Sequence, residues 1–270
     1  MSLVIAGLQH PGRSGDVAAN LEILAAAARD AKGRGAELLV TPEMFLTGYN
    51  IGEQVGALAD VGLVGQVGRI AVDVGIAIVA GVPEPLPGGG VANAAVFLDD
   101  AGTEVTRYRK THLFADLDRG LFVPGEALPQ PVSYHGVRVS LLICYDVEFP
   151  ETVRAAALAG ADVVIVPTAQ MEPFAFIAET LIPVRAWENQ VYVAYVNRTG
   201  AEGDLRYVGR SSIAAPSGAV LSALPPDQLE GLVLATIDPA VVAEARLANP
   251  YLDDLRPDLY AARALPEGRP

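Results

Sequence analysis

The only cysteine of the chain, Cys144, closes the apolar run Val137 to Ile143 and is followed by Tyr145-Asp146 and then by Phe149-Pro150-Glu151. The run reads as a buried strand, and proline suits the first turn of a following helix. A strand that ends on a thiol and turns into a helix puts that thiol at the strand's carboxyl end, where open α/β sheets gather their chemistry. A lone cysteine is equally well a small buried hydrophobe, so Cys144 alone leaves both readings open. Two further residues occupy matched places. Glu43 follows the end of the strand Glu37 to Thr41, and Lys110 ends the second strand of a hairpin, in Tyr108-Arg109-Lys110-Thr111-His112. Taken singly, Glu43 reads as a solvated loop acid and Lys110 as a surface base. Taken together they supply what a thiol lacks. With a pKa of about 8.5, a thiol is a poor nucleophile until its proton is removed or its thiolate stabilised. A carboxylate can take the proton, and an ammonium can hold the thiolate and later an oxyanion.

The elements that must position these three residues recur in two halves. The first half reads strand (Leu3 to Leu8), helix (Asp16 to about Lys32, with Asp16 as cap), strand (Glu37 to Thr41), a looser segment (Phe45 to Gly62), helix (about Val64 to Val74) and strand (Ile76 to Ala80). A hairpin follows, Ala92 to Leu98 with Glu104 to Arg109. The order then repeats. Leu141 to Cys144 takes the place of Ile5 to Leu8, with a helix Thr152 to Leu158, a strand ending at Val166-Pro167, a helix about Phe176 to Glu188, a strand Val191 to Val196 and a hairpin Ser212 to Leu224. Gly160-Ala161-Asp162 precedes its strand as Gly35-Ala36-Glu37 precedes its counterpart, and six elements in one order argue for an internal repeat. Strands such as Val163 to Val166 are apolar on both faces, so both faces must be covered. Two sheets packed face to face with helices outside, a four-layer α-β-β-α sandwich, meet that demand. The expected organisation is one α/β domain over 1–270, with halves about 1–112 and 137–238 and a C-terminal arm about 239–270. Within that arm, Leu252 to Tyr260 reads either as a surface tail or as a segment docking on a neighbour through Leu255, Leu259 and Tyr260.

Composition narrows the function. The 270 residues are half apolar, which excludes disorder, and carry a formal net charge of −13, which argues against a nucleic-acid partner. No stretch approaches the roughly 18 uncharged apolar residues of a membrane span, and Leu3 to Ala6 is too short for a signal peptide. A single cysteine precludes an intrachain disulfide, as suits a cytoplasmic protein. His10, His112 and His135 are scattered, so no metal site is expected.

The chain resembles the nitrilase (carbon–nitrogen hydrolase) superfamily. The resemblance rests on Pro42-Glu43-Met44-Phe45 with Gly48-Tyr49, on Tyr108-Arg109-Lys110-Thr111-His112-Leu113-Phe114, and on Ile143-Cys144-Tyr145-Asp146 with Phe149-Pro150-Glu151. It spans essentially the whole chain, to Asn249-Pro250-Tyr251 and Arg256-Pro257-Asp258-Leu259-Tyr260. It implies the same sandwich, usually dimerised, and a Glu-Lys-Cys set without cofactor: Glu43 as general base, Lys110 stabilising the tetrahedral intermediate, Cys144 forming a thioester. The backbone N–H of Tyr145 becomes a second oxyanion donor. Two departures stand out. Where many members carry a further glutamate before a Phe-x-Pro-Gly stretch, this chain has Asp118 ahead of Phe122-Val123-Pro124-Gly125. Where true nitrilases have Cys-Trp-Glu, it has Cys144-Tyr145-Asp146, like the amidase branches.

The expected function is therefore hydrolysis of small aliphatic amides to acid and ammonia, with Tyr49, Glu148, Thr168 and Gln170 lining the substrate. The alternatives are an N-carbamoyl amide hydrolase or an ω-amidase-like enzyme, a cysteine–histidine hydrolase using His112 as base, an acyl transferase, and an inactive binding protein on the same fold. Members that act on half-amides of dicarboxylic acids tend to have arginine two residues after the aspartate of Cys-Tyr-Asp, and here that place is Glu148. Neutral amides are thus expected to be preferred, cationic ones admitted and half-amides poor, unless Glu148 turns away to serve the helix start.

Overall fold

The computed structural model describes residues 1–60 and 62–260, with the backbone alone at Tyr260. Strands β1 (Leu3–Gln9), β2 (Leu38–Val40), β3 (Ala77–Pro85), β4 (Val91–Leu98) and β5 (Glu104–Arg109) form one sheet with β14 (Gly231–Ile237), in the order β14-β1-β2-β3-β4-β5. Strands β6 (Val132–Tyr134), β7 (Val137–Leu141), β8 (Val163–Thr168), β9 (Tyr192–Asn197), β12 (Ser212–Ala214) and β13 (Val220–Ala223) form the other, in the order β13-β12-β9-β8-β7-β6. A two-stranded ribbon joins β10 (Ala201–Glu202) to β11 (Leu205–Arg206). The repeat is visible in the pairing. β1-β2-β3 and β7-β8-β9 are each parallel, and each third strand continues into an antiparallel hairpin.

Two strands at the margins of the expected halves extend the sheets. β14, at the end of the second half, pairs antiparallel with β1 in the first sheet, while β6, ahead of residue 137, pairs with β7. An outermost strand of each sheet thus comes from outside the repeat's core, because both edges beside β1 and β7 leave ladder groups that need partners.

Side-chain alternation decides which face meets which. Leu3, Ile5, Leu38, Val40, Ala77, Val79, Ala95 and Phe97 pack with the second sheet's Val139, Ile165 and Val196 in one continuous core. The sheets touch so closely at Gly7 that a Cβ there would lie 2.6 Å from Val196 Cγ2. The alternate residues Ala6, Leu8, Leu39, Ile78 and Val96 instead meet helices α1 (Val17–Gly33) and α3 (Gly62–Val74), with α2 (Gln54–Leu58) in the looser segment between them. Asp16 caps α1 by accepting from Ala19 N at 3.0 Å. On the second sheet the cover is α5 (Pro150–Leu158) and α6 (Ile182–Asn189), which follow the short α4 (Ala115–Arg119).

Several element bounds differ from the expectation for local reasons. The strand before Cys144 ends its ladder at Leu141, and a 3₁₀ turn, Cys144–Glu148, separates it from α5, with Pro150 in the first turn. The helix expected from Phe176 opens as a π turn, Ile177–Leu181, because Pro183 has no N–H to continue the ladder. Helices α7 (Pro239–Ala248) and α8 (Pro257–Tyr260) lie in the expected arm, whose residues 261–270 and whose Tyr260 side chain are outside the described residues. No helix among the described residues is long and apolar enough to cross a membrane.

Candidate active site

Glu43, Lys110 and Cys144 meet at one end of the sandwich. Glu43 follows β2, Lys110 follows β5 and Cys144 follows the extended Leu142-Ile143 after β7. Since β5 runs in the direction of β3 and so of β2, Glu43 and Lys110 occupy carboxyl ends of co-directional strands in the first sheet, and Cys144 lies on the carboxyl side of β7 in the second. The two sheets join here through Glu43 N, which donates to Thr168 O at 3.3 Å. The turn is tight. A Cβ at Gly81 of β3 would come within 2.5 Å of Pro42 O, and Met44 stands at φ 49°. Cys144 itself sits at φ 45°, a conformation L-residues avoid and one that clusters at functional turns.

The polar geometry is closed around Lys110. Its Nζ donates to Glu43 Oε1 at 2.8 Å and to Asp118 Oδ2 at 2.7 Å, with every side chain fully buried. Asn93 Nδ2 donates to the same Glu43 Oε1 at 2.7 Å, while Glu43 Oε2 is buried without a partner. Asp118 reaches the lysine because α4 lifts it there: its Oδ2 also accepts from Phe114 N at 2.9 Å, and its Oδ1 from Tyr49 OH at 2.7 Å. Lys110 Nζ lies 5.5 Å from the centre of the Tyr49 ring, in cation–π range. Tyr49 therefore serves the lysine–aspartate pair, and the loop carrying it is held by Glu202, which accepts from Tyr49 N and Asn50 N.

Burial dominates the electrostatics. It pushes the Glu43 carboxyl above the ordinary range, an effect only partly countered by Lys110. Burial opposes the charge on Lys110, but Glu43, Tyr49, Cys144 and Asp118 together outweigh it and hold the ammonium well above its usual pKa. The Cys144 thiol is raised well above its ordinary value by burial and by Glu43, against the pull of Lys110 and of the Ala169 backbone.

The Cys144 turn is fixed by residues to which the sequence assigned no role. Buried Asp146 accepts from Ile143 N (3.1 Å), Thr111 N (3.2 Å), Thr111 Oγ1 (2.8 Å) and His112 N (2.9 Å), and its Oδ1 lies 2.9 Å from His112 Nδ1. One carboxylate thus ties the Cys144 turn to the strand end that carries Lys110. Arg185 of α6 donates to Val147 O at 2.9 Å and Glu148 O at 2.6 Å, which pins the turn's far end. Asp146 stands within Cys144-Tyr145-Asp146, so its place was visible and its job was not; Asn93, Arg185 and Glu202 are brought in only by the fold.

His112 is spent on Asp146 and stacks on Phe149 at 4.0 Å, and the charged groups acting most on the Cys144 thiol are Glu43 and Lys110. The arrangement gives no support to His112 as the base. Tyr145 N–H opens the 3₁₀ turn, where helical N–H groups lack an internal partner, and its ring packs on Phe114 and Phe149. Thr168 is buried with its hydroxyl donating to Val166 O, so its backbone carbonyl, rather than its side chain, serves the site by bonding Glu43 N. Gln170 Nε2 donates to Glu148 Oε1 at 3.0 Å.

The carbon–nitrogen hydrolase model matches residues 4–247. A Pseudomonas protegens protein described as a hydrolase in the pqqF 5′ region is 47% identical over 260 residues, 95% of this chain and 90% of that one. A 2-oxoglutaramate amidase of Bacillus subtilis is 34% identical over 231 residues, 85% of this chain and 88% of that one. The structure of an amidase from Nesterenkonia sp. superposes with a TM-score of 0.87 at 36% identity, covering 96% of this chain and 98% of that chain. With a family match over nearly its whole length and these relatives, the chain belongs to the carbon–nitrogen hydrolase family of the nitrilase superfamily.

Proposed function

We propose that the protein is a cofactor-free, cytoplasmic amidase that hydrolyses small aliphatic amides to a carboxylic acid and ammonia through a thioester on Cys144. The observation that carries this reading is the division of labour in Glu43. Oε1 is occupied by Lys110 and Asn93, whereas Oε2 is buried and unpartnered in a site shared with the thiol. A thiol raised by burial is protonated at rest, so its proton must leave as the C–S bond forms. Glu43 Oε2 takes it. Lys110 has three N–H groups and commits two to carboxylates, which leaves one for the oxyanion beside Tyr145 N–H. Glu43 returns the proton to the leaving nitrogen and ammonia departs. Water then gives a proton to Glu43 and adds to the thioester, and collapse releases the acid and restores the thiol.

Structures of the Nesterenkonia amidase support the substrate class. One holds butyramide, and another carries the acetamide moiety of fluoroacetamide on the active-site cysteine. The Bacillus relative's name points to a half-amide instead. Glu148, where an arginine would pair with the second carboxylate, speaks against carrying that substrate over.

The test is an ammonia-release panel of small amides, carbamoyl compounds and nitriles, coupled to acid-quench mass spectrometry. Cys144→Ala should have no turnover and no adduct. Glu43→Gln should lose roughly 10²–10⁴-fold, and Lys110→Ala roughly 10²–10³-fold. More than trace turnover by Cys144→Ala removes the thioester mechanism.

A further inference from the structure

Asn93 of β4 touches both members of the Glu43–Lys110 pair. Its backbone carbonyl accepts from Lys110 N at 2.9 Å, and its side-chain Nδ2 donates to Glu43 Oε1 at 2.7 Å. The first contact joins main chain to main chain and needs no particular side chain. The second needs a donor of this length on this strand.

The sheet builds that second contact. Asn93 stands opposite Pro83 of β3, and two residues earlier Gly81 lies against Glu43: a Cβ on Gly81 would come within 2.9 Å of Glu43 Cα. Close approach over a glycine lets the Glu43 side chain cross β3 and reach the neighbouring strand. Asn93 is 1% exposed there, and its Oδ1 is buried with no hydrogen bond. A buried amide with an unpartnered carbonyl is unfavourable in itself, so packing does not account for it. Turning the amide over would set Oδ1 against Glu43 Oε1, acceptor against acceptor. An ionised Glu43 therefore enforces the donating orientation.

Two donors on Oε1 use both of its lone pairs and fix the plane of the carboxylate, with Oε2 as the oxygen left free. The two anchors differ in kind. Lys110 is a long side chain that also binds Asp118 and, in the proposed reaction, the oxyanion. Any shift of its ammonium toward that charge pulls on Glu43 unless a second donor holds the carboxylate. Asn93 is a short side chain on a strand paired on both sides, which makes it the stiffer anchor. Burial raises the Glu43 carboxyl, and the bonds from Lys110 and Asn93 oppose that rise.

We propose that Asn93 is a positioning residue for the base: it holds the Glu43 carboxylate in one plane independently of Lys110, so that Oε2 stays free for the thiol proton while the lysine serves the oxyanion. The inference rests on the role of Glu43 in the amidase reading and deepens it.

The test is a double-mutant cycle read by alkylation of Cys144 with iodoacetamide, which requires no knowledge of the substrate, and by kcat on the best amide of the panel. Asn93→Leu is close in size and has no donor. In the wild-type background it should slow alkylation at pH 7 and lower kcat by roughly tenfold or more, short of the 10²–10⁴-fold of losing the base, with KM little moved. Without the donor the protonated carboxyl is favoured, so the acid limb of alkylation should move up by about one pH unit, the scale of one hydrogen bond to a charged group. In Glu43→Gln the same substitution should change the alkylation rate by less than about twofold, because the group it positions is gone. Asn93→Gln keeps an amide and should place the limb between wild type and Asn93→Leu. It carries the same cycle if Asn93→Leu does not fold. Equal slowing in both backgrounds, or an unmoved acid limb, overturns the inference and leaves the amidase reading intact. Turnover of no amide, with the alkylation cycle as expected, sinks the amidase reading and upholds the link from Asn93 to Glu43.

Discussion

Lys110 Nζ meets Asp118 Oδ2 at 2.7 Å, although this carboxylate is one methylene shorter than the glutamate many family members carry. The reach is made up by α4, whose first turn places Asp118 over the lysine and against Tyr49. Asp118 is expected to position Lys110 rather than to touch the substrate. Asp118→Asn should lower kcat/KM by about two orders of magnitude, the scale of misplacing one oxyanion donor. The loss should fall mainly on kcat, with KM little moved, and Asp118→Glu should recover activity only in part. A wild-type kcat for Asp118→Asn would show that Glu43 alone orients the lysine.

The raised Glu43 carboxyl has a kinetic signature. Glu43 acts as base only when ionised, and burial lifts its pKa. As pH falls through that raised value the base is protonated and the rate drops, so the acid limb of kcat/KM should lie above the usual carboxylate range of about 4 to 4.5. Alkylation of Cys144 should follow the same limb in the wild type and lose it in Glu43→Gln. An acid limb inside the usual range would contradict the burial argument.

Asp146 is expected to matter for stability as much as for rate. Removing its carboxylate strands the buried Ile143 N–H and the partly buried Thr111 and His112 N–H groups. Asp146→Ala should therefore cost about 3–5 kcal/mol, the range for breaking a buried charged network. Urea unfolding measures this as a lower midpoint at unchanged slope. A shift below about 1 kcal/mol would mean that water replaces the carboxylate.

The outer face of the second sheet's helices points to self-association. Leu158 of α5 and Val184 and Trp187 of α6 are 57%, 43% and 44% exposed, on two helices that pack together. We propose that this face, with Glu151 through Arg154 of α5, is the contact of a homodimer or larger assembly, the commonest closed form being two-fold. Light scattering at micromolar concentration should give at least twice the 28.2 kDa chain mass, and Trp187→Lys should reduce it. A 28 kDa species in the wild type would refute this.

Much of the site was legible locally because strand ends are. Strand-like runs that stop at Glu43, Lys110 and Cys144, the one before Lys110 read from its hairpin, place each residue at an element's end without any knowledge of the fold. The doubly apolar strands and the repeated order of elements required two covered sheets, and the sandwich follows from that need for burial. Boundaries blurred where backbone hydrogen bonding rather than side-chain pattern decides. The strand before Cys144 reads as running to Ile143 where its ladder ends at Leu141, and the π turn ahead of Pro183 reads as plain helix in the sequence.

What the sequence determined by itself was the identity of the reactive groups and the periodicity that brings them to strand ends. The tertiary structure alone decided their electrostatics and their support. Glu43 and Lys110 are 67 residues apart in the chain, and their shared bond exists because β2 and β5, with β3 and β4 between them, bring both residues to one end of the same sheet. That Asp146 ties two loops together, that Arg185 pins the Cys144 turn and that Glu148 turns to Gln170 instead of to its own helix are contacts between segments distant in sequence, and even the nearby Asp118 faces the lysine only because α4 folds back over it. Hydrogen-bond partners and burial depend on separations of a few ångströms, and those separations are set only when the two sheets close on each other.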